Sequence, residues 1–219
     1  LEFLKKYDSY LTEKLGNRIN TVHSNLKMIR KLFNDAVREE LIPYAINPFI
    51  RYKLKTEKSD KQYLTEEELK AIESLDLTDK PRIHDTRQMF VFACYAGGIR
   101  VSDLLQLRWR DFTGSHIAFS QQKTKDQLSI KLPEKALNIL SEYMEKTGGN
   151  HNHFVFPFLP YSIQEDDLFD AISSKTAYLN KNLKEISELA SLTKKLSMHI
   201  SRHTWATRAL RKGISIDKV

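Results

Sequence analysis

The chain of 219 residues has a single cysteine, Cys94, so an internal disulfide is excluded. Cys94 lies in the apolar run Met89-Phe90-Val91-Phe92-Ala93-Cys94-Tyr95-Ala96, where a buried structural thiol is expected rather than a nucleophile. No apolar run reaches the roughly 18 residues of a membrane span, so no membrane partner is expected. No cluster of Cys, His and carboxylates has metal-ligand spacing, and no metal or other cofactor is expected. No signal-peptide pattern opens the chain, which points to an intracellular protein.

Acidic residues are the minority among the charged ones, 28 against 35 Lys plus Arg, for a net charge of +7. That balance favours a polyanionic partner without identifying it. Residues 1–62 hold 13 basic and 8 acidic side chains, net +5, whereas residues 63–219 hold 22 and 20, net +2. The excess is densest between Arg51 and Lys61, with Arg51, Lys53, Lys55 and Lys58 as candidate contacts to a polyanion. A solvated linker would have the same composition.

The hydrophobic pattern predicts a mainly helical chain in two domains. Leu4, Tyr7, Leu11 and Leu15 predict one amphipathic helix ended by Gly16, and Leu26, Ile29, Phe33, Val37 and Leu41 a second ending before Pro43. Thr65 and Glu68 form a capping-box pattern that opens a second domain. A buried helix is expected at about 85–96, a helix at 134–147 before Gly148-Gly149, and a longer one carrying Leu179, Leu183, Ile186 and Ala190. Ile117-Ala118-Phe119-Ser120 and Leu128-Ser129-Ile130-Lys131-Leu132 alternate around a polar run, predicting a β-hairpin with Lys123 and Lys125 at its tip.

Two segments carry the chemistry. Gly97-Gly98-Ile99-Arg100-Val101-Ser102-Asp103 is followed, 99 residues after Arg100, by His199-Ile200-Ser201-Arg202-His203-Thr204. His199 and Arg202 stand three apart, on one face of a helix. A phosphodiester gains charge on its non-bridging oxygens as phosphorus becomes five-coordinate, and permanently charged planar forks such as those of Arg100 and Arg202 suit that charge.

The wording around these residues resembles the tyrosine recombinases, also called the phage integrase family. Gly98-Ile99-Arg100-Val101-Ser102-Asp103-Leu104-Leu105-Gln106-Leu107-Arg108-Trp109 followed by Asp111 is similar to that family's box G-x-R-x-S-[ED]-L-x-x-L-x-W-x-D. His199-x-x-Arg202-His203-Thr204-x-Ala206-Thr207 is similar to its box H-x-x-R-H-T-x-A-T. The resemblance implies an α+β fold that is mainly α: a partial helical core-binding domain at 1–56, a basic linker at 57–62, and a catalytic domain at 63–219 with one small antiparallel sheet.

It also implies site-specific recombination of double-stranded DNA, with other recombinase protomers on synapsed DNA as partners, in the nucleoid-associated cytoplasm. A tyrosine would attack the scissile phosphate to give a 3′-phosphotyrosyl link, without metal or nucleotide. Arg100 and Arg202 would hold the phosphate oxygens, His199 would accept a proton from the nucleophile or position it, and Asp103 would orient Arg100. Lys123, with Lys125 as the alternative, would protonate the departing sugar oxygen, and Lys125 would otherwise contact the DNA. The family places its nucleophilic tyrosine after H-x-x-R, and all nine tyrosines here precede it. A fragment is therefore expected, cut at both ends and without its nucleophile. The competing reading is a DNA-binding accessory or regulatory protein of the same fold that never cuts.

Overall fold

A computed structural model describes residues 1–58 and 61–215, and the chain divides into two compact units, Leu1–Asp60 and Lys61–Val219. In the first, α1 (Glu2–Ser9) continues into one π-type turn, Tyr10–Lys14, and α2 spans Ile19–Arg38. Leu4, Leu11, Val22 and Leu26 form the core, with Tyr7 and Ile29 packed at its edge. Spacings of seven and four put each buried pair on one helical face.

Two expectations fail locally. Leu15 is 54 % exposed rather than inward, because the wider π turn rotates the next residue off the buried face. The second helix stops at Arg38, short of Leu41. Glu40 adopts a φ of 57°, the Leu41 N–H turns back to the Ala36 carbonyl at 2.9 Å, and Leu41 is left 72 % exposed.

The basic stretch after Ile50 is held rather than loose. Tyr52 and Leu54 pack on the core of the first unit while Arg51, Lys53 and Lys55 face outward, the two-residue alternation of extended chain. Asn20 exchanges two hydrogen bonds with the backbone of Glu57, at 2.8 and 2.9 Å, and the His23 Nδ1 lies 3.1 Å from the Lys55 carbonyl. The Tyr52 hydroxyl donates to Asp8, and burial together with that carboxylate pushes the phenol up to about 12. The first unit thus continues through Glu57, where a linker was expected to begin. Residues 59 and 60 of that linker lie outside the described residues.

The second unit opens with α3 (Glu66–Glu73), where Thr65 Oγ1 accepts from the Glu68 N–H at 3.2 Å and Glu68 Oε2 accepts from the Thr65 N–H at 2.8 Å. These reciprocal bonds satisfy two donors that a helix start leaves free. α4 (Pro81–Tyr95) begins with proline at its first turn, where the missing N–H costs nothing. Six consecutive residues, Met89 to Cys94, are buried. A helix apolar all round must be surrounded, and α4 packs against α3, α6 (Glu134–Thr147), α7 (Glu165–Leu189) and α8 (Met198–Arg211). Phe92 and Tyr143 meet Phe156 edge-on at 5.4 and 5.0 Å.

The short α5 (Val101–Gln106) leads to an antiparallel pair, β1 (His116–Ser120) and β2 (Gln127–Lys131), in register from His116↔Lys131 to Ser120↔Gln127. Among the described residues the fold is mainly helical with this one small sheet. Among the described residues, no helix is long and apolar enough to cross a membrane.

Cys94 is fully buried in α4, and burial pushes its thiol far above the usual range. It is therefore expected to resist an aromatic disulfide reagent in the native protein and to react stoichiometrically in denaturant; rapid native labelling would contradict this packing.

Candidate active site

The chain leaves α4 through Gly97 and Gly98, both at positive φ, 71° and 58°. Arg100 follows in extended conformation as the residue before α5. The reason for glycine at 98 is proximity as well as φ: a β-carbon there would sit 3.1 Å from the Arg202 Cα and 3.4 Å from the Arg202 carbonyl oxygen. The Gly98 carbonyl also accepts a hydrogen bond from Arg202 Nη1. Two arginine-bearing segments, a hundred residues apart in sequence, thus meet at one glycine.

Arg202 is half-buried, and its pKa is pushed down by that burial and then by the charge of Arg100, with Asp103 opposing. An arginine stays protonated in any case. Two permanent cations that feel one another in a partly desolvated place favour an anion between them.

α8 is fixed so that this half-turn cannot drift. The Leu64 N–H donates to the buried Thr204 hydroxyl at 3.0 Å, and the Met198 N–H at the start of α8 donates to Asn180 Oδ1 of α7 at 2.9 Å. Farther along, Arg208 pairs with Glu66 at 2.6 Å and lies 4.3 Å over the Tyr95 ring. Met198, Ile200, Ser201 and Thr204 point into the unit, which leaves His199 exposed and Arg202 at the boundary. His199 and His203 meet edge-on at 4.5 Å. The His203 pKa is lowered by burial first and then by His199, Lys61 and Arg202, all positive or able to become so.

The hairpin joins this place by its root. Arg100 Nη1 donates to Gln121 Oε1 at 2.9 Å, and the Gln122 N–H donates to Asp103 Oδ1 at 3.0 Å. Asp103 is buried, its Oδ2 has no hydrogen-bond partner among the described residues, and its field supports the charge of Arg202. The orienting contact to Arg100 expected of Asp103 is made instead by Gln121, because the carboxylate is turned toward the hairpin backbone. Lys123 is exposed at the crest of the loop. Lys125, at a φ of 61°, closes the loop through its N–H to the Gln121 carbonyl at 2.9 Å, and its ammonium lies 3.5 Å from Gln122 Oε1.

Arg100, Arg202 and Asp103 are therefore brought together, His199 lies three residues before Arg202 on α8 with its ring against His203, and Lys123 is connected through the loop it caps. Arg51, Lys53, Lys55 and Lys58 belong to the first unit and are exposed. Sequence reasoning missed Gln121, Gln122, Thr204 and Asn180. Gln121 follows directly on β1, so its place could have been counted from the strand alternation, whereas nothing in the sequence ties Asn180 to the start of α8.

The pattern of the phage integrase family matches residues 62–219, and that of the phage integrase SAM-like domain matches residues 1–56. A tyrosine recombinase of Thermosipho africanus is 26 % identical over 230 residues, covering 100 % of this chain and 72 % of the relative. The tyrosine recombinase XerC of Bacillus pumilus is 27 % identical, over 96 % of this chain and 68 % of its own. A lambda integrase dimer bound to a core site has a similar fold, with a TM-score of 0.64 at 19 % identity over 98 % of this chain and 75 % of that one. With family patterns matched on both units and both arginine boxes meeting at Gly98, the chain belongs to the phage integrase family, the tyrosine recombinases.

Proposed function

We propose that this chain carries the phosphate-binding apparatus of a site-specific DNA recombinase that works by transesterification through a 3′-phosphotyrosyl intermediate. The observation that carries the reading is the convergence of Arg100 and Arg202 at Gly98, with a buried carboxylate behind them and a lysine-bearing loop in front. In this scheme the two guanidiniums hold the non-bridging oxygens of the scissile phosphate and stabilise the charge that grows there. His199 accepts a proton from the attacking hydroxyl or positions it, and Lys123 delivers one to the departing 5′-oxygen. The phosphotyrosyl bond conserves the energy of the broken phosphodiester, so rejoining needs no nucleotide. The partners are duplex DNA and further protomers of the same kind, by analogy with the lambda integrase dimer bound to a core site and the tetramer bound to a Holliday junction.

The chemistry requires an attacking tyrosine, and residues 1–219 hold none after Arg202. Among those before it, Tyr143 is fully buried with its hydroxyl on Asp85 at 2.7 Å, and Tyr95 donates to Glu73 at 2.7 Å. Residues 1–219 are accordingly expected to bind duplex DNA without forming a covalent adduct, as read by denaturing electrophoresis of labelled DNA. Binding should weaken with salt on a log-log slope of about −0.9 per phosphate neutralised. Arg100→Ala and Arg202→Ala should each reduce that slope by about one such contact. Salt-independent binding, or slopes untouched by both substitutions, would overturn the reading. A covalent adduct from these residues alone would move the nucleophile to an upstream tyrosine.

A further inference from the structure

Arg100 has a neutral side chain as its hydrogen-bond partner. A bare guanidinium beside a buried carboxylate ordinarily pairs with it, yet Asp103 spends Oδ1 on the Gln122 N–H and its Oδ2 has no hydrogen-bond partner among the described residues. Arg100 Nη1 donates instead to the neutral amide oxygen of Gln121, at 2.9 Å. The same oxygen accepts from Thr124 Oγ1 at 2.8 Å, and the Gln121 backbone closes the loop through the Asp126 carbonyl and the Lys125 N–H, both at 2.9 Å. One side chain therefore touches the arginine and the residue that follows Lys123.

We propose that Gln121 is a positioning residue: its amide oxygen aims the Arg100 fork and tethers the Lys123 loop through Thr124, without cancelling the arginine's charge. A carboxylate at 121 would give the same geometry but neutralise the guanidinium and compete with the incoming phosphate. An apolar isostere would leave the charge and lose the aim. A neutral acceptor is the arrangement that supplies direction while leaving the full positive charge for the DNA. Its hydrogen bond has only one charged partner and is single, so it yields to a phosphate, whose two anionic oxygens match the planar fork with charge on both sides. Phosphate binding at Arg100 thereby transfers a contact away from the loop root, leaving the Gln121 oxygen to Thr124 alone and coupling occupancy of the site to the setting of the lysine-bearing tip.

The inference rests on the phosphate-binding reading given above and is tested with variants that separate charge from geometry. Gln121→Glu and Gln121→Met are compared with the unaltered chain for binding random-sequence duplex DNA across a salt series. Gln121→Glu is expected to bind about tenfold more weakly or worse, as the loss of a charge-assisted contact implies, and to lose about 0.9 from the salt slope. Gln121→Met should keep the slope and lose only about two- to threefold, the size of the ordering cost of one flexible side chain that is no longer aimed in advance. A Gln121 that merely braced the hairpin gives the reverse order, because glutamate keeps both hydrogen bonds and methionine loses both; that order overturns the proposal. Two silent variants overturn it as well. Absence of salt-dependent binding by the unaltered chain would instead bring down the underlying reading, and this one with it.

Discussion

Gly98→Val is expected to destabilise the second unit by about 3 kcal/mol or more, the sum of a left-handed backbone cost of roughly 1–2 kcal/mol and an overpacking cost of similar size. The second contribution arises because the obstructing atoms are backbone: the Arg202 Cα at 3.1 Å and its carbonyl oxygen at 3.4 Å, with the Trp205 Cβ also at 3.4 Å. None of these can rotate away. Gly148 is the control, since its φ of 70° is nearly as left-handed while a β-carbon there meets nothing within 4 Å. Gly148→Val should therefore lose only the backbone part. Urea unfolding of both variants, compared at unchanged slope, gives the difference; equal losses would show that α8 does not press on the turn as described.

Arg202→Ala should slow strand cleavage about 100- to 1000-fold in a form of the protein that contains an attacking tyrosine, the loss expected when one donor to a developing oxyanion is removed. Arg202→Lys should recover little, because a single ammonium cannot both keep the bond to the Gly98 carbonyl and hold a phosphate oxygen with a planar fork. Single-turnover adduct formation at saturating protein separates this effect from weakened binding. Arg100→Ala combined with Arg202→Ala should lose less than the product of the two single effects, since both act on one phosphate. Cleavage at an undiminished rate by Arg202→Ala would remove the arginine from the reaction.

Much of this was legible in the sequence because it rests on local rules. The capping box at Thr65 and Glu68, the alternation that makes the hairpin, and the glycine after Thr147 each depend on neighbours within a few residues. The meeting of Arg100 with Arg202 was legible through a family resemblance rather than through spacing. What escaped depends on other elements or on local chain geometry. The π turn that turns Leu15 outward and the left-handed Glu40 that cuts α2 short carry no periodic signal. The resemblance implies that Asp103 orients Arg100, whereas its carboxylate answers to a hairpin backbone nineteen residues away. A family pattern names the residue types of a site, and a buried carboxylate takes whichever donor the fold delivers.

The contact between Gly98 and Arg202 also orders events during synthesis of the chain. It closes a loop of about a hundred residues, and long-range closures of this kind form late and slowly compared with the helices inside them. Until α8 has emerged and docked, Arg100 has no second arginine beside it, and one guanidinium on a partly folded chain holds phosphate no better than any surface arginine. A ribosome-bound intermediate that ends before Met198 would therefore have no paired-arginine site, and strong engagement of DNA phosphate would arise only once the second unit is closed.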